Sequence, residues 1–168
     1  MKKAFVVVLC GLLLNNGLFA FVQADYDKAI ALSEKLKKGE AVTDEDKALG
    51  AADLSEANLS GVVLEGAALI ETKFTVAHLT KANLKKVALH YANLDGANLT
   101  GVDLSDAGLI GTTLVDAILK EAVLIGTTFY GVGLTRVDFT GANLTDASLS
   151  LTYLHTANLN GAILCFHK

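Results

Sequence analysis

The stretch Ala92-Asn93-Leu94-Asp95-Gly96-Ala97-Asn98-Leu99-Thr100-Gly101 contains one five-residue unit twice. The unit continues in both directions. Counting in fives from Ala52, the central position is held by Leu54, Leu59, Leu64, Leu69, Phe74, Leu79, Leu84, Leu89, Leu94, Leu99 and Leu104, and the count runs on through Phe129 and Phe139 to Leu164. All 23 central positions are filled without a slip, 20 by Leu and 3 by Phe. Two residues before each stands a small side chain, Ala at 14 positions, Val at 5 and Thr at 4. The residue between them is often Asn or Asp, as in Ala52-Asp53-Leu54 and Ala142-Asn143-Leu144.

A period of five matches neither an α-helix at 3.6 residues nor a strand at 2. A chain that turns a corner every five residues accounts for it. Four such sides close a square coil of about 20 residues, with the central Leu and the small residue pointing inward and three residues pointing out. The inward partner must be small because a square cross-section has no room for two large side chains per side. Asn or Asp before the Leu suits the corner, where its side chain can bond nearby backbone. Thr72, Thr112 and Thr152 take the small inward position on one side, and each hydroxyl is expected to reach a neighbouring carbonyl. No charged residue stands at any inward position, so no chemistry is expected inside.

The pattern resembles the pentapeptide-repeat family, whose unit is Ala-Asp/Asn-Leu-x-x, and the resemblance spans residues 52–166. It implies an all-β solenoid, a right-handed quadrilateral β-helix. Its 115 residues make about 5.75 coils, a rod ~28 Å long at ~4.8 Å per coil.

Residues 1–24 read as a signal peptide. Lys2 and Lys3 form a basic start, Ala4 to Leu14 an apolar run, and Asn15 and Asn16 interrupt it. The run falls short of the ~20 residues that a membrane span requires, so no stable membrane insertion is expected after processing. Val22 and Ala24 place small residues at the −3 and −1 positions of a cut before Asp25, and Ala20 offers a second site. Cys10 follows Leu9 and does not fit a lipoprotein signal, which wants a small residue there. An exported protein is expected, in the periplasm, or in a thylakoid lumen for a cyanobacterial host.

Residues 25–51 are expected to cover the first coil. Tyr26, Ala29, Ile30, Ala31, Leu32 and Leu36 can line one face of a helix over 26–38, with Lys35, Lys37 and Lys38 in its last turn and Gly39 as its stop. Thr43 before Asp44, Glu45 and Asp46 starts a second short helix, with Gly50 ending the segment. That acidic cluster lacks the spacing of a calcium loop.

Loss of Lys2 and Lys3 leaves 12 Lys and Arg against 18 Asp and Glu, a net charge of −6. Such a surface argues against direct nucleic-acid binding. Sorted by side, the charges divide unevenly. The first side (Leu54, Phe74, Leu94) has Asp53, Glu56, Asp95 and Asp116 against Lys73 and Arg136. The second (Leu59, Leu79, Leu99) sets Lys81 and Lys120 against Glu121 and Asp138, beside a ladder of Ser60, Thr80, Thr100 and Thr140. The third (Leu64, Leu84, Leu104) has Glu65, Asp103, Asp106 and Asp146 against Lys85 and Lys86. The fourth carries only Glu71 and shows Ile70, His90, Tyr91, Ile110, Tyr130 and Leu151. Ile70, Tyr91, Ile110, Tyr130 and Leu151 are therefore the candidate docking face for an unknown protein partner.

Enzyme motifs are missing: no phosphate-binding glycine loop, no GxSxG and no His-x-x-x-His. His78, His90 and His155 fall on three different sides, so neither a metal site nor a cofactor is expected. The expected function is that of a non-enzymatic exported scaffold or interaction module. The alternative is an acidic DNA mimic that inhibits or protects a type II topoisomerase, a role known in the family but cytoplasmic and so at odds with the signal peptide.

After Leu164 come Cys165, Phe166 and a tail, residues 167–168. Two readings stand for this end. Either the last coil frays in a monomer, or two molecules meet there as a homodimer through Cys165 and Phe166, Cys165 being the one cysteine left after processing. Sedimentation velocity with and without reductant separates them. A dimer at high concentration that loosens with reductant fits the second, and a monomer under both conditions contradicts it.

Overall fold

A computed structural model describes residues 17–165, with side chains from residue 23. The basic and apolar parts of the expected signal peptide, up to Asn16, lie outside the described residues, as does Phe166.

From Ala48 to Ile163 the chain forms a β-solenoid. Twenty parallel bridges join it, each linking a residue to the one 20 positions on, from Ala48↔Ala68 to Asn143↔Ile163. Only one residue per side is bridged, the one before the central Leu or Phe. The central side chains form the core. From Leu54 to Leu144 all are at most 1 % exposed, and the small partners from Val62 to Ala142 are enclosed with them. At the far end Leu149, Leu154 and Leu159 are half-buried and Leu164 is exposed.

The motif follows from where the five N–H groups of each repeat go. In the repeat of Leu54, the Leu54 N–H donates to Lys73 O at 2.8 Å and the Glu56 N–H to Thr75 O at 2.9 Å, both in the next coil. One coil on, the Lys73 N–H donates back to Ala52 O at 2.9 Å. The Ala57 N–H closes the corner on Leu54 O at 3.2 Å. The fifth N–H, that of Ser55, is taken by the Asp53 carboxylate at 3.1 Å. Asn58, Asn83, Asn93, Asn98, Asp103, Asp138, Asn143 and Asn158 do the same for the residue two places on. Asn and Asp recur before Leu because their short acceptors reach the one N–H that the coils leave over.

Each corner needs a left-handed residue. Every fifth position from Ala51 to Gly161 has positive φ, between 55° and 69°. Nine of these are glycine, such as Gly61 and Gly96, and 14 are not. Val76, at φ 58°, is β-branched and so strained at its corner.

Thr72, Thr112 and Thr127 are fully buried, and their hydroxyls donate to Leu49 O, Leu89 O and Leu104 O at 2.7–2.9 Å. Thr152 instead reaches Leu149 O, three residues back, at 2.8 Å.

Two helices precede the solenoid, α1 (Gly17–Lys38) and α2 (Asp44–Lys47). α1 starts well before the expected residue 26. It ends at Gly39, where φ is +67° and the N–H groups of Gly39 and Glu40 return to Leu36 O and Lys35 O. α2 opens on Thr43 with a reciprocal capping box to Asp46. The solenoid also begins one repeat earlier than residue 52. Leu49 is 2 % exposed in the core, and its N–H donates to Ala68 O. Lys47, the half-buried last residue of α2, stands where the small residue of that repeat would be sought, which hides the repeat from a count of small residues.

The first coil has no coil before it, so its bridging residues 48, 53, 58 and 63 lack partners on that face. Side chains of α1 supply partners on all four sides. Asp25 Oδ2 accepts the Asp53 N–H at 2.9 Å, and Ser33 Oγ accepts the Val63 N–H at 2.9 Å. Lys28 Nζ donates to Ala48 O at 2.6 Å, and Tyr26 OH to Asn58 O at 3.4 Å. Ala29 and Leu32 are buried against the end of the core.

Val76→Gly relieves the corner strain and is expected to raise the free energy of unfolding by about 0.5–1 kcal/mol, net of the entropy glycine loses. Urea denaturation checks this, and a midpoint below that of the parent would contradict the left-handed corner.

Candidate functional site

Each of the three charged sides fastens one or two pairs of charges between coils. Lys73 Nζ lies 3.6 Å from Asp53 on the first side, where Arg136 also forms a two-pronged pair with Asp116. Lys120 lies 3.3 Å from Asp138 on the second side and Lys85 3.1 Å from Asp103 on the third. Each pair joins neighbouring coils. Exposed pairs of this kind add little stability, ~0–1 kcal/mol each. Their consequence here is electrostatic: each covers a carboxylate that an acidic stripe would need free.

The carboxyls record this. The Arg136 hydrogen bonds hold Asp116 below the ordinary carboxylate value, and the Thr140 hydroxyl does so for Asp138, with Lys120 assisting. Partial burial pushes Asp53 and Asp103 upward. Their bonds to Ser55 and Ser105, with Lys73 and Lys85 alongside, outweigh it and leave both lowered.

The fourth side differs in three respects. Its outward large residues are exposed: Ile70 40 %, Tyr91 64 %, Ile110 36 %, Tyr130 48 % and Leu151 68 %. All five candidate docking residues thus lie on one side, along the edge that follows the central Leu or Phe. Its bridging column is Ala68, Ala88, Gly108, Thr128 and Ser148, small residues stacked coil upon coil. A low strip therefore runs beside the apolar edge. Third, this column has no Asn or Asp, so the leftover N–H has no carboxylate or amide acceptor. At Ile110 the Nδ1 of His90 takes it at 3.3 Å. At Ile70, His90, Tyr130 and Ser150 no acceptor stands among the described residues.

Glycine shapes the edge. A Cβ at Gly111 would lie 2.7 Å from the Tyr91 ring, and one at Gly108 2.6 Å from His90 Cε1. Both rings lean onto the next coil over residues that have no side chain. Counting charges by side does not show the column of small residues or the leaning rings, although Gly108 and Gly111 are visible as small residues 18 and 20 positions after His90 and Tyr91.

Other apolar side chains are exposed singly, as with Val76, Ile118 and Ile125. At the far end Tyr153, Ile163 and Leu164 are exposed, with Cys165 a free, exposed thiol. Among the described residues no group of three or more His, Cys, Asp or Glu could hold a metal ion. No described helix is long and apolar enough to cross a membrane.

The family model described as Pentapeptide repeats matches in 8 copies, over residues 49–85, 69–106, 103–141 and 134–165. The chain belongs to the pentapeptide-repeat family. A solved structure agrees on the fold. A trypsin-treated variant of QnrB1, a plasmid-mediated fluoroquinolone resistance protein, superposes with a TM-score of 0.54 at 16 % identity, over 66 % of this chain and 60 % of that one. The chain thus spans less than two thirds of the QnrB1 chain. AT2G44920, a pentapeptide repeat protein from the Arabidopsis thaliana thylakoid lumen, is 27 % identical over 76 % of this chain and 73 % of its own, with a TM-score of 0.37. HetL of Nostoc sp. strain PCC 7120, involved in heterocyst differentiation regulation, is 27 % identical over 70 % of this chain and 68 % of its own, with a TM-score of 0.32. No curated protein gives a significant match.

Acid titration tests the charge pattern. On α2, the Lys35 hydrogen bond and the Thr43 cap bring Asp46 from 3.8 down to about 2. A lowered folded-state value means stability present above the unfolded value and lost as pH falls through the folded one. The protein should therefore hold its stability down to about pH 4 and lose these contributions between pH 4 and 2. In NMR titration the Asp46 carboxyl should have its midpoint near 2 and move back toward 3.8 in Lys35→Ala. A midpoint near 3.8 in the parent would contradict the pairing.

Proposed function

We propose that this protein is a non-enzymatic, exported interaction module that docks a protein partner on its fourth side. The compartment is the periplasm, or the thylakoid lumen in a cyanobacterial host. We also read the solenoid as a right-handed quadrilateral coil of about 5.75 turns, and α1 as the cap on its first turn. The single observation that carries the docking reading is the concentration of Ile70, Tyr91, Ile110, Tyr130 and Leu151 on the side whose charges among the described residues are Lys47, at the end of α2, and Glu71. Apolar and aromatic side chains grouped in this way favour a dry contact, and open N–H groups in the same strip favour a partner that brings acceptors. Carboxylates spread along flat faces, four of them paired with a cation of the next coil, favour binding over catalysis.

The second reading is an acidic DNA mimic acting on a type II topoisomerase. The likeness to QnrB1 that would favour it is one of fold. Against it stand the cation-paired Asp53, Asp103, Asp116 and Asp138 on three sides, the nearly uncharged fourth side and the signal-like N-terminus.

Cross-linking and co-purification from the native envelope fraction test the docking side. Ile110→Lys and Tyr130→Glu should each remove the captured partner, whereas Thr100→Lys on the second side should keep it. Equal capture by all three variants would contradict docking on the fourth side.

A further inference from the structure

We propose that the chain is cut between Ala24 and Asp25, so that Asp25 becomes the first residue of both the mature protein and the helix that covers its first coil. The inference rests on the export reading above and assigns the processing site. Two features point to this bond, and a third limits how late the cut can fall.

The first is the charge order of the helix. α1 runs from Gly17 to Lys38 and has no acidic residue in its first turn, while Lys35, Lys37 and Lys38 sit in its last. A helix is stabilised by carboxylates at its N-terminal end and by cations at its C-terminal end. In α1 the carboxylates come two turns late, at Asp25 and Asp27. A helix that starts at Asp25 has both in its first turn, and the charge order is then correct at both ends. The new α-amino group carries the wrong sign for that end, and the same two carboxylates offset it.

The second is that the cut spares the cap and can fall no later. Asp25, Tyr26, Lys28 and Ser33 all hydrogen-bond to the first coil, so a cut after Asp25 would lose the acceptor of the Asp53 N–H. The buried residues Ala29 and Leu32 also follow the cut. Gln23, just before it, bonds only within the helix, its Nε2 donating to Asp27 Oδ1 at 2.8 Å. Removing residues 1–24 therefore keeps all four hydrogen bonds that complete the first coil.

The third is the sequence at the bond. Val22 and Ala24 supply the small −3 and −1 side chains that a signal-type endopeptidase accepts, downstream of Lys2, Lys3 and the apolar run. The reaction is hydrolysis. Water adds across the Ala24–Asp25 peptide bond, leaving a carboxylate on Ala24 and an amine on Asp25. The bond is helical in the uncut chain, so the cut falls on extended chain before α1 closes over the coil.

The test expresses the full chain with its own N-terminus in a bacterial host and measures the intact mass of the protein in each cell fraction. The expected result is one exported species beginning at Asp25, and Ala24→Tyr should abolish it or move the cut to Ala20. An exported species of the parent beginning elsewhere overturns the cut site and leaves the export reading standing. Uncut parent protein confined to the cytoplasm overturns the export reading itself. A start at Asp25 that survives Ala24→Tyr overturns recognition through the small −1 residue.

Discussion

The structure depends on a corner repeated every five residues. At each corner the fifth residue takes positive φ, and the chain turns so that the next small residue and the next Leu again face the axis. The corner sets the period, and the period stacks each residue over the one 20 positions on. Once stacked, four of the five N–H groups in a repeat find backbone carbonyls, and where Asn or Asp stands before the Leu its side chain takes the fifth. The five-residue pattern is thus an account of backbone donors as much as of apolar burial. Corners held by residues other than glycine carry a cost of roughly 1–2 kcal/mol each, which the enclosed Leu and small side chains must outweigh.

The same donor pattern leaves only the outer faces free to vary. The interior is filled by Leu, Phe and small residues, and its few polar groups are threonines bonded to carbonyls. The outer faces then differ only in what their free positions carry. On three sides these hold Asn and Asp acceptors and charges paired between coils. On the fourth they hold small residues, two leaning rings and a line of exposed apolar side chains. A face without charge pairs has little holding water to it, and this favours contact with another molecule.

Much of this is legible beforehand because a period is a strong signal. Leu or Phe in every fifth place fixes the coil and assigns each residue to a side, so Ile70, Tyr91, Ile110, Tyr130 and Leu151 group together from the sequence. The misses come where one side chain breaks the local rule. Leu49 escapes because Lys47 stands where a small residue is sought. Thr127 escapes because it lies on a different side from Thr72, Thr112 and Thr152. The early start of α1 is hidden because residues 17–24 read as the end of a signal peptide, which sets the helix after the cut. The bonds from Asp25, Tyr26, Lys28 and Ser33 to the first coil join residues 20 to 32 positions apart, and no period links them.

The central claim is that residues 20 apart stack directly, so distance along the rod grows by one coil per 20 residues. Spin labels at Ser60→Cys and Thr140→Cys, in a chain with Cys10 and Cys165 changed to Ser, measure this by pulsed dipolar spectroscopy. The two sites share the second side, four coils apart, and the expected separation is ~19 Å with a narrow distribution. A mean separation beyond ~30 Å, or a distribution as broad as an unstacked chain would give, would contradict the account.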